Sequence, residues 1–260
     1  MKDGKRERAF LCKVVREAWE KCGGRPSVTD VKSAFDLVTD IDFAMEKFIT
    51  RAIGEEFPGD AVIGEEYNPL TELPAGRCWT VDPVDGTVNF AHGLPLFGVQ
   101  CAFCEDEIPL ASAIYLPAFG ELYSASAGAG ARLNGEPIFV SSRREDMAVA
   151  SVGDYSHRSA ELFEMQLGMT RSAAARVAKV RHFGAASVDF SWLAAGRTDA
   201  FVMLTRNLWD IVPGMLLVKE AGGVVRSADG GEFVFGGRGI VAAASEEIAD
   251  IFCARVREEV

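Results

Sequence analysis

The chain has 260 residues, 48% of them apolar, and a formal net charge of −11. That length suits one large domain or two intimate halves around a shared core, and the apolar content is ordinary for a globular protein. The acidic balance repels nucleic acid and anionic lipid, and no Lys/Arg-rich block offsets it, because Arg143-Arg144 and Lys5-Arg6-Glu7-Arg8 are short and mixed with acids. Neither a nucleic acid nor a membrane is therefore expected as a partner.

The N-terminus, Met1-Lys2-Asp3-Gly4-Lys5-Arg6, is charged and lacks the apolar stretch of a signal peptide. No apolar run approaches the roughly 20 residues that span a bilayer. Six cysteines scattered through a chain of this size read as reduced thiols, so a cytoplasmic location is expected. Cys101 and Cys104 form a lone C-x-x-C inside an apolar run; a zinc site needs a second ligand pair, and these two read as strand residues.

Leu11, Val14, Val15, Ala18 and Cys22 recur at helical spacing until Gly23-Gly24, which predicts an amphipathic first helix. A second is predicted from an N-cap at Thr39, through the stripe Ile41, Met45, Phe48 and Ala52, to a stop at Gly54. Phe57-Pro58-Gly59-Asp60 reads as a turn and Ala61 to Gly64 as a short buried strand. From Cys78 to Val140 short apolar runs alternate with turn residues: Trp79 to Val81, Phe97 to Phe103, Ala111 to Tyr115, Glu121 to Ala125 and Ala131 to Leu133. With breaks at Glu105-Asp106-Glu107, Pro117 to Gly120 and Asn134-Gly135, this is the pattern of an antiparallel meander. Beyond Ser141 the chain alternates: strands at Val149 to Val152, Ala200 to Leu204 and Gly239 to Ala244, helices at Ser159 to Leu167, Ser187 to Ala195 and Asp210 to Ala221, and a last helix capped by Ser245 and running through Val256. The expected organisation is two α/β halves packed as layers, residues 1–140 and 141–260.

Trp79-Thr80-Val81-Asp82-Pro83-Val84-Asp85-Gly86-Thr87 carries the sharpest chemical signal. A strand delivers Asp82, Pro83 removes a ladder donor and is expected to end the strand, Asp85 returns on a turn, and Gly86 lets the backbone approach a ligand. Two carboxylates so close repel unless a cation lies between them, and a hard divalent ion such as magnesium suits oxygen ligands. Taken alone the motif could be an Asx-rich surface turn. Further acids share its setting: Glu65-Glu66 directly follows the strand Val62-Ile63-Gly64, and Asp210 follows Trp209 at a helix start. Each has a plainer reading as well. Asp210 could be an N-cap, Glu65-Glu66 a solvated loop tip, and Asp42 a first-turn acid favoured by the helix dipole, about 100° off the apolar stripe.

Jointly these segments resemble the inositol monophosphatase family. Asp82-Pro83-Val84-Asp85-Gly86-Thr87 with Asn89-Phe90, and later Trp209-Asp210, match its two signatures. Likeness extends over nearly the whole chain, from Lys32 through Asp42 to Gly184-Ala185-Ala186 and Glu220-Ala221-Gly222-Gly223. The resemblance implies an α+β fold, a layered αβαβα sandwich whose N-terminal half carries most metal ligands and whose C-terminal half carries Asp210 and the substrate-side loops. It implies a magnesium-dependent phosphatase of small sugar or polyol phosphate monoesters, with two or three ions per site. Glu65, Asp82 and the Val84 carbonyl would hold a first ion, Asp82, Asp85 and Asp210 a second, and Glu65 would face a weaker third. Two such ions about 4 Å apart clamp the attacking and leaving oxygens and acidify a water nucleophile. Thr87 with Asp42 resembles the dyad that orients or deprotonates that water, and Lys32 would balance charge near the phosphate. The Gly86 and Thr87 N–H groups would hold phosphate oxygens, and Gly184, Ala186, Asp85 and Asp210 would face the substrate. A homodimer and inhibition by lithium are further expectations of the resemblance.

The chain also departs from the family pattern. Met203 stands where inositol-specific members carry a glutamate for substrate hydroxyls. Arg206 lies nearby on Thr205-Arg206-Asn207-Leu208, like the branch that also accepts fructose 1,6-bisphosphate, and could hold a second phosphate or be a surface arginine. Pro213 replaces a small residue and is expected in the first turn of its helix. The loop Ser33-Ala34-Phe35 looks one residue short. Histidinol phosphate and a nucleotide 3'-phosphate are further substrate candidates. A haloacid-dehalogenase-type phosphatase needs D-x-D-G-T, and here both Pro83 and Val84 intervene. A non-catalytic regulatory relative should have lost metal ligands, whereas every predicted ligand side chain is acidic. His92, His157 and His182 form no ligand constellation.

Overall fold

The computed structural model describes residues 3–25, 28–33, 36–155 and 159–253, with the main chain alone for 28–33 and 36–37. Helix α1 (Lys5–Cys22) is followed by the antiparallel pair β1 (Val28–Ser33) and β2 (Asp36–Thr39), then α2 (Asp40–Glu56). A seven-stranded sheet is built from β3 (Ala61–Gly64), β4 (Arg77–Asp85), β5 (Gly98–Glu105), β6 (Ile108–Leu116), β7 (Glu121–Ser126), β8 (Ala131–Leu133) and β9 (Glu136–Ile138), in that spatial order. Its first pair is parallel and the rest is the antiparallel meander expected from the turn residues. The short helix α3 (Thr87–Ala91) separates β4 from β5.

The remaining chain alternates: β10 (Val149–Val152), α4 (Ala160–Arg176), β11 (Lys179–Arg181), α5 (Ala186–Ala194), β12 (Ala200–Met203), α6 (Leu208–Glu220), β13 (Val224–Ser227), β14 (Ile240–Ala243) and α7 (Glu246–Cys253). Its five strands form a mixed sheet in the order β11-β10-β12-β14-β13.

Five layers result. Helices α1 and α2 cover one face of the seven-stranded sheet, burying Leu11, Val15, Met45 and Ile49 against Trp79, Val81 and Phe103. Helices α5 and α6 fill the middle and touch both sheets; α4 and α7 close the far face of the five-stranded sheet. Complete burial of each such Leu, Ile or Phe contributes roughly 1.5–3 kcal/mol. The division at residue 141 that we propose lies between β9 and β10, yet α5 and α6 pack on strands of both sheets, so the two parts share a core.

The local signals for α2 are visible in atomic detail. Thr39 N–H donates to Asp42 Oδ2 at 2.9 Å and the Thr39 hydroxyl bonds the same oxygen, half of a capping box. Asn134 and Gly135, both at positive φ, turn β8 into β9.

Several boundaries differ from expectation. Gly54 does not end α2: the helix runs to Glu56 and closes with Phe57 N–H on the Ile53 carbonyl at 2.7 Å, because packing of buried Ile53 and Phe57 outweighs the roughly 1 kcal/mol helical cost of a glycine. Pro83 does not end β4: pairing skips from Asp82↔Gln100 to Asp85↔Gly98, so the proline sits in a bulge where no ladder N–H is needed. Helix α4 extends past Leu167 to Arg176. Helix α6 begins at Leu208, so Asp210 is its third residue rather than its cap, and Pro213 is its sixth, inside the helix rather than in its first turn. The pair β1–β2 and the strands β9, β11 and β13 were not expected; the last three are short and incompletely buried, which blurs any alternation. Ala34, Phe35, His157 and the end of the last predicted helix lie outside the described residues.

Helices α5 and α6 cross with Gly214 against Phe190; a Cβ on Gly214 would overlap the Phe190 ring. Overpacking of this kind typically costs about 1–3 kcal/mol. Gly214→Ala is therefore expected to lower the unfolding free energy by that amount, read as a lower urea midpoint at unchanged m-value. An unchanged midpoint would mean that the central helices slide apart freely.

Candidate active site

The site forms where the C-terminal end of β4 meets the first turns of α5 and α6. Asp82 is buried; its Oδ2 accepts from Gln100 Nε2 on β5 at 3.2 Å, while its Oδ1 is sealed from solvent with no hydrogen-bond partner. The bulge at Pro83-Val84 then returns Asp85. Asp85 reaches across about 100 residues of sequence to α5, accepting from Ala186 N–H at 3.2 Å, Ser187 N–H at 2.6 Å and the Ser187 hydroxyl. A remote carboxylate thus satisfies N–H groups that a helix start leaves open. Gly86 adopts φ +84°, and a Cβ there would come within 2.9 Å of the Ala185 Cβ and the Leu96 carbonyl, so the turn accepts glycine alone.

Asp210 enters from the first turn of α6, where its Oδ2 accepts from Asn207 Nδ2 at 3.0 Å. Carboxylate oxygens of Asp82, Asp85 and Asp210 all lie within 4.8 Å of one another. They open on a cavity of about 200 Å³ that Glu65, Val84, Gly86 and Thr87 line from the β4 side and Gly184 and Ala186 from the α5 side. Glu65 follows β3 and is held beside Asp82 by its N–H on the Val81 carbonyl at 3.2 Å. Asp42 lies fully buried behind this wall. Its Oδ1 is 3.3 Å from Thr87 Oγ1, whose nearer partner is the Val84 carbonyl at 2.9 Å.

Ala186 lines the cavity with its N–H taken by Asp85. Arg206 is exposed and lines a separate crevice with Phe233 and Phe235, not this cavity. Lys32 falls in β1, and its side chain lies outside the described residues. Residues not anticipated also face the cavity. Asp154 and Asp189 both line it, the latter a fully buried acid and the one charged residue of α5, which could have flagged it. Asn89 Nδ2 ties the Leu96 and Phe183 carbonyls together at 2.7 and 2.8 Å, fixing the loop that carries Gly184.

Crowding shows in the titration of these acids. Burial pushes the Asp82 carboxyl well above its usual range, and the charges of Glu65, Asp85 and Asp210 add to it. Burial raises Asp85 to about 6 against the pull of the Ser187 and Ala186 donors. Asp189 is likewise raised well, by burial first, with the Ser151 hydroxyl opposing. An orphaned buried oxygen among three mutually repelling carboxylates fits a hard divalent cation. The cluster contains oxygen donors and no His or Cys, which suits magnesium, calcium or manganese rather than a softer metal.

A model of the inositol monophosphatase family matches residues 7–260. The chain belongs to the inositol monophosphatase family. Among similar family proteins, it is 39% identical over 204 residues to a Nus factor SuhB from Pseudomonas aeruginosa, covering 76% of this chain and 75% of that one. It is 36% identical over 211 residues to a fructose-1,6-bisphosphatase/inositol-1-monophosphatase from Thermotoga maritima, covering 80% and 78%. The crystal structure of extragenic suppressor protein suhB from Bartonella henselae matches with a TM-score of 0.85 and 31% identity over 97% of both chains. The layered α+β fold is thus that of the family. Among the described residues no helix is long and apolar enough to cross a membrane.

With no metal bound, the raised acids make the folded protein hold protons that the unfolded chain releases near pH 4. Their penalty is absent below that pH and grows as pH rises towards each folded-state value; for Asp85, raised from 3.8 to about 6, it is complete above about 6 and amounts to about 3 kcal/mol. Metal-stripped protein is therefore expected to melt higher at pH 5.5 than at pH 7.5, and Asp82→Asn to flatten that difference. A melting temperature that rises with pH over this interval would contradict the repulsion.

Proposed function

We propose that this chain is a magnesium-dependent phosphatase acting on a small sugar or polyol phosphate monoester. The observation that carries the reading is the buried trio Asp82, Asp85 and Asp210, with oxygens within 4.8 Å and one of them unpartnered. Glu65, Asp82 and the Val84 carbonyl would hold one magnesium; Asp82, Asp85 and Asp210 would hold another; Glu65 would face a third. When bound, magnesium supplies positive charge for the phosphate and the acidity that readies water for attack on phosphorus.

The chain's own groups do the rest. The Thr87 hydroxyl has one proton and two acceptors in reach, the Val84 carbonyl and Asp42 Oδ1. Once Val84 serves as a ligand, that proton turns to Asp42, whose Oδ2 is pinned by Thr39. Thr87 Oγ1 then has a lone pair free to take the proton of the attacking water while its own proton passes to the Asp42 carboxylate. Thr87 opens α3, so its N–H and that of Gly86 face the phosphate from the helix start, where no intrahelical acceptor competes. Gly184 lets the substrate approach the backbone, and Ala186 contributes packing rather than its N–H. Lys32 we keep as a charge-balancing residue near the phosphate.

Inositol 1-phosphate and fructose 1,6-bisphosphate are the first substrates to compare; histidinol phosphate is a further candidate. Met203 lines the cavity with a thioether, a poor acceptor for a polyol hydroxyl, and this favours substrates beyond inositol phosphates. The exposed position of Arg206 favours the surface reading of that residue. A homodimer, a cytoplasmic location and lithium sensitivity belong to the same proposal.

The likeness to proteins named Nus factor supports a second reading, a regulatory factor without catalysis. The full set of acids favours the first. Phosphate release with and without magnesium, on both substrates, separates them. We expect magnesium-dependent release that Asp82→Asn lowers by more than the 10–100-fold of a lost outer-shell partner. Thr87→Ala should lower kcat about 100-fold or more while Thr87→Ser retains most of it, and Arg206→Ala should leave the substrate ratio unchanged. No release together with no magnesium binding would decide for the regulatory reading.

A further inference from the structure

Glu46 lies on α2, one turn beyond Asp42, and is 1% exposed. It is absent from the family signatures quoted above and does not face the cavity. Its carboxylate sits beneath the turn that follows β3. Oε2 accepts the Glu66 N–H at 2.7 Å and Oε1 accepts the Tyr67 N–H at 3.0 Å. These are the N–H groups immediately after Glu65. The rest of the turn is closed by two longer bonds between Gly64 and Asn68, both 3.3 Å, and at its far end by Asn68 Nδ2 donating to the Val62 carbonyl at 2.7 Å.

A carboxylate accepting two N–H groups at these distances binds about twice as strongly as neutral bonds do, so Glu46 is the anchor of the stretch directly after Glu65, while Asn68 fixes the far end of the turn. Gly64 confirms how close the approach is: a Cβ there would fall on Glu46 Oε1 and Cδ. Its backbone does not need a glycine for conformational reasons, since its φ is not positive. The glycine is there to make room for the carboxylate.

An anchor is needed because Glu65 and Asp82 repel. Glu65 is bound on its N-terminal side to the Val81 carbonyl, one residue before Asp82, and nothing in the β3–β4 ladder extends beyond it. Without a second tie the turn could swing the Glu65 carboxylate away from Asp82 into solvent, and relieve the repulsion that a cation otherwise relieves.

We infer that Glu46 is a positioning residue: by holding the Glu66 and Tyr67 N–H groups, it fixes Glu65 beside Asp82 and thereby sets the affinity of the cavity for its divalent cation. The inference rests on the metal-dependent reading proposed above. Glutamine at position 46 keeps the shape, but its amide can accept from one N–H and presents a donor to the other.

Magnesium titration by calorimetry on the metal-stripped full chain tests this, alongside circular dichroism and initial rates across a magnesium series. In Glu46→Gln the magnesium Kd should rise 10–100-fold, while kcat at saturating magnesium stays within a few-fold of wild type. Gly64→Ala, which reaches the same contact from the other side, should weaken magnesium similarly. It should do no further harm in a Glu46→Ala background, where the carboxylate it displaces is gone. A Glu46→Gln protein with unchanged magnesium Kd and only a lower melting temperature would overturn the inference and leave Glu46 a fold residue. A wild-type chain that binds no magnesium would overturn the metal reading itself, and this inference with it.

Discussion

Mutual repulsion among buried carboxylates is the constraint around which the rest of the molecule is arranged. Asp82, Asp85 and Asp210 come from the end of a strand, from beyond a bulge and from the first turn of a helix, and still converge within 4.8 Å. In a poorly hydrated setting such charges interact several-fold more strongly than in water. The fold opposes the repulsion with oriented donors: Gln100 for Asp82, Asn207 for Asp210, and the Ser187 and Ala186 N–H groups for Asp85. One oxygen of Asp82 is left without any. That oxygen lies where a cation would add charge, as expected where function rather than stability fixes the side chains.

Much of this was legible in the chain. Thr39 reads as an N-cap and Asp42 as a first-turn acid, and the helix begins there. Asn134-Gly135 turns where that dipeptide predicts, and Glu65, Asp82, Asp85 and Asp210 read as acids placed where buried elements end, whereas Asp154 and Asp189 do not. What was not legible depends on partners distant in sequence. Pro83 reads as a strand end until Gly98 is known to pair with Asp85. Asp210 reads as an N-cap until the helix is seen to start two residues earlier. Arg206, three residues after Met203, reads equally as a phosphate contact or a surface arginine until its loop is seen to face Phe233 and Phe235. Nothing local to Ser187 reveals that Asp85 will cap its helix. The strands β11 and β13 are too short and too half-buried for alternation to mark them.

Asp85 joins the chemistry to the core. Its carboxylate caps α5, α5 packs on α6 through Phe190 against Gly214, and α6 carries Asp210. The two acids contributed on opposite sides of the cavity are therefore connected by a rigid path through the central helix layer as well as by proximity. Moving α5 away from β4 would break the cap on Asp85 and shift Asp210 in the same motion. On the proposed function, a cation bridging Asp82 on the seven-stranded sheet and Asp210 on the central helices clamps two layers that already share a core. Its binding energy then adds to the cohesion of the layers, because binding to the folded state alone stabilises that state. Glu46 and Asp42 complete the frame from the other side. Four residues apart on α2, they hold the Glu65 turn and Thr87 respectively, so on the proposed function one helix outside the sheet would align both the ligand wall and the group that handles the water proton. The active-site geometry is in this sense a property of three layers at once, which is why acids from five separate elements can be kept together against their own repulsion.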